Sequence, residues 1–110
     1  MEGREERIGR NEALFREVNE RIERISATLQ VSDETLQILC ECGVPTCLEQ
    51  IEVPVGDYER VRAESTLFLI KPDHEHADLE EIVERHDGYV VVRKVDAAAA
   101  DVVRELDPRD

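Results

Sequence analysis

The chain has 110 residues, with 14 Lys and Arg against 27 Asp and Glu, three cysteines, no tryptophan, two Phe and two Tyr. That suffices for one modest aliphatic core, and a formal net charge of -13 works against binding nucleic-acid phosphates or an anionic membrane surface. No apolar run is long enough to cross a bilayer and the opening residues lack the apolar stretch of a secretory signal, so the expectation is a cytoplasmic protein.

Residues 2–29 contain no Pro and, after Gly3, only Gly9, and their apolar positions recur at helical spacing. Ile8, Phe15, Ile22 and Leu29 fall seven apart, with Val18 and Ile25 between them and Asn11 in the remaining seam position. Glu12 with Arg16, Glu17 with Arg21 and Glu20 with Arg24 are acidic-then-basic pairs four apart, which support a helix. At 1.5 Å per residue such a helix is about 40 Å long, more than the rest of a small domain covers. Part of the seam is therefore expected to meet a protein partner or a second copy of the chain, with Asn11 fixing the register; the competing reading lays the helix across the chain's own sheet. Charge divides at the same place. Residues 1–29 carry six Arg against seven acidic side chains, net -1, whereas residues 30–110 carry eight basic against twenty acidic, net -12.

Residues 30–34 include Ser32 and Asp33 and read as a turn, giving a division into a long amphipathic helix over 1–30 and a small α+β domain over 31–110. Residues 35–42 and 48–53 are rich in apolar and β-branched side chains and predict strands, with Gly43-Val44-Pro45-Thr46 as the bend between them. Pro54 suits the entry to a short helix through residue 63, and 66–71 is again strand-like before a loop over 72–76. Asp87-Gly88 signals a hairpin of the twisted type with positive φ at both centres, which pairs 81–86 with 89–95. Asp96 can cap a last helix over 97–106. The fold class predicted is α+β: a long N-terminal helix followed by a small, mainly antiparallel sheet with short helices.

Cys40, Cys42 and Cys47 form a C-x-C-x4-C cluster with Gly43 and Pro45 inside it. Residues two apart in a strand point to one side, so Cys40 and Cys42 can face a single ion while Glu41 points away, and the bend can return Cys47 to the same place. In a reducing compartment such thiols bind metal or do redox chemistry more often than they form disulfides. A closed tetrahedral zinc site needs a fourth ligand; His74, His76 and His86 are the candidates, and His74 is preferred because it follows a predicted strand in a loop. His74-Glu75-His76 with Asp73 and Asp78 offers a different, surface metal site, and a catalytic zinc with Glu75 as general base is a third arrangement. Glu80, Glu81 and Glu84 near His86 read as an exposed strand face rather than a paired-carboxylate site.

With Arg10-Asn11-Glu12, residues 15–20, Cys40-Glu41-Cys42-Gly43 with Cys47, Tyr58, Val61-Arg62, His74-Glu75 and residues 84–89 in view, the chain resembles a group of short acidic bacterial proteins sharing a CECG-x3-C motif. The resemblance implies a bacterial cytoplasmic origin and brings no activity with it. No phosphate-binding loop, dinucleotide fingerprint, nucleophile elbow or HExxH motif occurs. The expectation is a zinc-stapled, non-enzymatic interaction or regulatory module; a thiol-based redox sensor and a small metal-dependent hydrolase are the alternatives.

Overall fold

The computed structural model describes residues 3–28 and 35–109; the expected turn at 30–34 and the seam position Leu29 lie outside them. The element order is α1 (Arg4–Thr28), β1 (Thr35–Leu39), β2 (Gln50–Pro54), α2 (Val55–Arg62), β3 (Leu67–Ile70), β4 (Glu80–His86), β5 (Tyr89–Lys94) and α3 (Ala97–Glu105). This is an α+β fold. All pairing is antiparallel, with β1 and β2 in one two-stranded sheet and β3-β5-β4 in a second.

The sequence explains most of these boundaries. The Asp96 side chain accepts a hydrogen bond from Ala99 N at 3.0 Å, as expected of a helix cap. Pro54 stands just before α2, where its missing N–H is harmless. The β4–β5 hairpin has the two-residue loop expected, His86 facing Tyr89, but φ is positive at Gly88 alone (87°) and not at Asp87. The loop is therefore not the twisted type with two left-handed centres. A register shift at Ile82/Glu84 bends β4, and such a bulge adds local twist near the loop.

β3 and β5 are buried on both faces, which their unbroken apolar runs encode. On one face Leu67, Leu69, Tyr89 and Val91 pack with Leu36, Ile38, Ile51 and Val53 of the small sheet and with Tyr58 and Val61 of α2. On the other, Phe68, Ile70, Val90 and Val92 pack with Val103 of α3 and with Cys40 and Cys42. The cysteines thus sit at the edge of an apolar cluster.

Helix α1 docks in an unexpected orientation. Beyond Ile8, Gly9 and Ala13, its buried face consists of Glu12, Arg16, Asn19 and Glu20. The apolar seam is turned aside: Phe15, Val18 and Ile22 are half-buried, and Ile25, with Leu14 beside the seam, is largely exposed. Of the expected surface pairs, Glu17–Arg21 forms at 3.2 Å, whereas Glu12, Arg16 and Glu20 are drawn inward. The physical reason is complementarity. Glu12 meets Lys94, Arg16 Nη2 donates to Val103 O at 2.7 Å and lies over the Phe68 ring, and Glu20 accepts from Tyr58 and Arg62 at 2.9 and 3.2 Å.

Candidate metal centre

Four side chains from two separate stretches of chain converge at one end of the sheets. The ligand atoms of Cys40, Cys42, Cys47 and His74 all lie within 4.8 Å of one another, close enough to hold a metal ion. Among the described residues this is the one group of His, Cys, Asp and Glu so arranged. The cysteines are free thiols, Cys40 and Cys42 buried and Cys47 half-buried.

Each ligand has a local cause. Cys40 directly follows β1, and its N–H extends the β1–β2 pairing to Glu49 O at 2.8 Å. Cys42 lies two residues on, facing the same side, before Gly43 at φ 79°. Cys47 is the fourth residue of the turn Val44-Pro45-Thr46-Cys47, closed by Cys47 N donating to Val44 O at 2.9 Å. His74 is the fourth residue of a second turn, Lys71-Pro72-Asp73-His74, closed by His74 N donating to Lys71 O at 3.2 Å. In both turns proline occupies the second position, where its fixed φ is already correct. In the second turn Asp73 adopts φ 72°, the one left-handed non-glycine among the described residues.

Two of the distances match those of a tetrahedral zinc ion. His74 Nδ1 lies 3.6 Å from both Cys40 Sγ and Cys47 Sγ. Zinc bonds of about 2.3 Å to sulfur and about 2.0–2.1 Å to nitrogen, opened to the tetrahedral angle, place sulfur and nitrogen about 3.6 Å apart. The sulfurs are also supported by backbone: Lys71 N donates to Cys40 Sγ at 3.2 Å, and the Val44 and Glu49 amides bond Cys42 and Cys47. Three thiolates around a divalent cation leave one net negative charge, and N–H donors aimed at sulfur disperse it.

The thiols are inequivalent as acids. A hydrogen bond from Cys40 is the largest influence holding the Cys42 thiol down at about 4, against the opposing effect of burial and with help from Val44 N, His74 and Cys47. Cys40 is pushed up by that same bond and then by burial, and burial also raises Cys47. Metal binding needs the thiols deprotonated, so an ion bound here would release their protons.

The other histidines have different places. His76 Nε2 lies 2.6 Å from Cys42 O; a carbonyl only accepts, so this nitrogen carries the proton and the ring braces the ligand segment from behind. His86 stacks on Tyr89 with centroids 4.7 Å apart and bonds Glu84 at 2.7 Å in the β4–β5 hairpin. The alternative surface site at His74, His76, Asp73 and Asp78 is not assembled, because His74 turns to the thiols and Asp78 pairs with Arg4 at 2.6 Å. Nor are the β4 carboxylates one exposed face. Glu80 is buried against Lys94, while Glu84 pairs with Arg60 at 2.6 Å, a contact that together with His86 holds it near 2.

Glu41 carries more than its spacing indicates. Between Cys40 and Cys42 it points away from the sulfurs, yet it is fully buried. Its two carboxylate oxygens accept from Leu69 N at 3.0 Å and Asn19 Nδ2 at 2.8 Å, and burial makes it a weaker acid than an ordinary carboxyl, against the effect of those bonds. Sequence reasoning left Glu41 and Asn19 out of the site; a charged residue wedged between two same-facing ligands is the available signal that it has a partner.

No family model, curated protein or solved structure matches the chain, so what the centre does is read from its own geometry. No helix of the described residues is long and apolar enough to cross a membrane.

Proposed function

We propose that the protein is a zinc-stapled, non-enzymatic interaction module, with Cys40, Cys42, Cys47 and His74 as the four ligands of a structural ion. The single observation that carries this reading is the convergence of three sulfurs and one imidazole nitrogen within 4.8 Å. A set of four protein ligands fills tetrahedral coordination and leaves no position for a reacting water, which favours a structural role over a hydrolase. The soft thiolate-rich donor set favours zinc over magnesium or calcium. Bound there, zinc would tie the ends of β1 and β2 to the turn after β3, adding free energy that a small aliphatic core lacks.

The test is native mass spectrometry of untagged protein. One zinc per chain, lost in Cys47→Ser and His74→Ala, is expected; a metal-free, folded protein indifferent to a strong chelator would overturn the reading.

The interaction surface in this reading is the outward seam of α1, and the partner is a second copy. Leu14, Val18, Ile22 and Ile25 present apolar surface on a segment of net charge close to zero, whereas the remainder of the chain is strongly acidic and repels its own copy. Sedimentation of the full chain should give a dimer, and Leu14→Glu with Ile25→Glu a folded monomer. A monomeric wild type at high micromolar concentration would refute self-association.

The redox-sensor alternative predicts that mild peroxide lowers the thiol count and changes the oligomeric state. Unchanged thiols and unchanged mass would remove it.

A further inference from the structure

The ligand segment and helix α1 are joined directly, at points spread over three turns of the helix. Asn19 on α1 grips the chain on both sides of Cys40. Its Nδ2 donates to Leu39 O at 2.9 Å and to Glu41 Oε2 at 2.8 Å, while its Oδ1 accepts from Leu39 N at 2.8 Å. Further up the helix, Gly43 lies flat against α1. A Cβ on Gly43 would meet Glu12 Cγ at 2.7 Å and Ile8 O at 2.9 Å. Glu41 also ties the segment to β3 through Leu69, with Glu41 N donating to Leu69 O at 2.9 Å. Residues 8, 12 and 19 of the helix thus rest on residues 39–43 of the chain, within which Cys40 and Cys42 flank Glu41.

The nature of the α1 interface makes this placement decisive. An apolar interface tolerates small slips, because burial is non-directional. A face of Glu12, Arg16, Asn19 and Glu20 does not: each buried polar group favours docking only while its partner is in register, and otherwise its desolvation opposes docking. The chain at 39–43 supplies part of that register, through Asn19 and the close approach of Gly43, and its geometry is held by bonds to Glu49 and Leu69 together with the gathering of Cys40 and Cys42 at one point.

On the reading of the centre as a zinc site, we infer that the ion is a latch for α1: with zinc bound the helix is docked, and when zinc leaves the helix lets go while the β3–β5–β4 sheet persists. The centre then regulates the helix that carries the interaction surface, coupling metal supply to the state of that surface.

The experiment is hydrogen exchange read by mass spectrometry on the full chain, zinc-loaded and chelated, with native mass spectrometry counting ions in the same samples. Amides of residues 8–20 should exchange at least tenfold faster after zinc removal, with those of β3 and β5 unchanged. Asn19→Ala, which leaves all four ligands in place, should loosen α1 in the zinc-loaded protein and weaken zinc binding, because coupling between two events is reciprocal. Equal α1 protection with and without zinc, or an Asn19→Ala protein with α1 as protected as in the wild type, would overturn the latch and leave the structural zinc standing. Equal loss of protection over β3 and β5 would make the ion a staple for the whole chain and also overturn the latch. A sample that binds no ion would overturn both readings at once.

Discussion

Lys94 is one ammonium held between two buried carboxylates, Glu12 of α1 and Glu80 of β4, all three side chains fully excluded from solvent. Burial pushes the Glu12 carboxyl well above the ordinary carboxylate range, against the attraction of Lys94 and with repulsion from Glu80. Burial thus weakens Glu12 as a counter-charge for Lys94, and Glu80 is the second carboxylate in contact with the ammonium. Glu12→Gln is accordingly expected to change stability by less than about 1 kcal/mol, since a carboxamide mimics a protonated carboxyl. Glu80→Gln should cost about 3–5 kcal/mol by leaving the ammonium with Glu12 alone, whose charged form burial opposes. Urea unfolding of the two variants decides this, and equal losses would show that the two carboxylates serve Lys94 alike. Gly43→Ala is expected to lower stability by at least about 2 kcal/mol, because a side chain there is strained at φ 79° and collides with α1. An unchanged melting temperature would contradict that close approach.

At the level of elements, two proline turns present two of the four ligands. The repeated pattern, proline two residues before Cys47 and two before His74, was present in the sequence but reads as a shared device only after both turns close on the same point. Asp73 is the strained member of the pair, so Asp73→Gly should raise stability by about 0.5–1 kcal/mol and Asp73→Val lower it, as thermal melts of zinc-loaded protein would show. Equal melting temperatures for both variants would mean that the left-handed backbone is not present in solution. Most element boundaries were legible because their causes are local: Asp96 caps α3, Pro54 precedes α2, and β3 and β5 are unbroken apolar runs. The hairpin loop was legible in length but not in type, since Asp87 tolerates either sign of φ.

Across the whole molecule, the long axis of 43 Å is about the length of α1, and the interior beneath the helix is a second, polar core. Arg62 joins Glu20 of α1 to Asp107 beyond α3, and Arg109 reaches back to both Glu20 and Glu59. Burial alone would raise the Asp107 carboxyl, but bonds from Ser65, Arg109 N and Arg62 outweigh it and hold the group at about 2, below its ordinary 3.8. A carboxylate with a depressed folded value stabilises fully above the unfolded value and loses that contribution as pH falls towards the folded one. Asp107→Asn should therefore be less stable than wild type near pH 6 by on the order of 2 kcal/mol, with the gap closing between about pH 4 and pH 2. Unfolding free energies measured across that range check it; a gap independent of pH would show that the Asp107 charge does not matter.

The amino-acid sequence by itself determined the α+β class, the long helix and the proximity of Cys40 to Cys42, because each follows from short-range geometry: helical and strand periods, turn residues and the two-residue repeat of a strand. Only the tertiary structure decided which histidine joins the thiols and which face of α1 turns inward. The periodicity of α1 marks an apolar seam, and considered alone a helix buries such a seam. Here it buries Glu12, Arg16, Asn19 and Glu20, because Lys94, Glu41, Tyr58 and Arg62 lie opposite them. That choice depends on charges brought together from positions 20 to more than 80 residues apart, where paired polar groups no longer carry the full cost of burial.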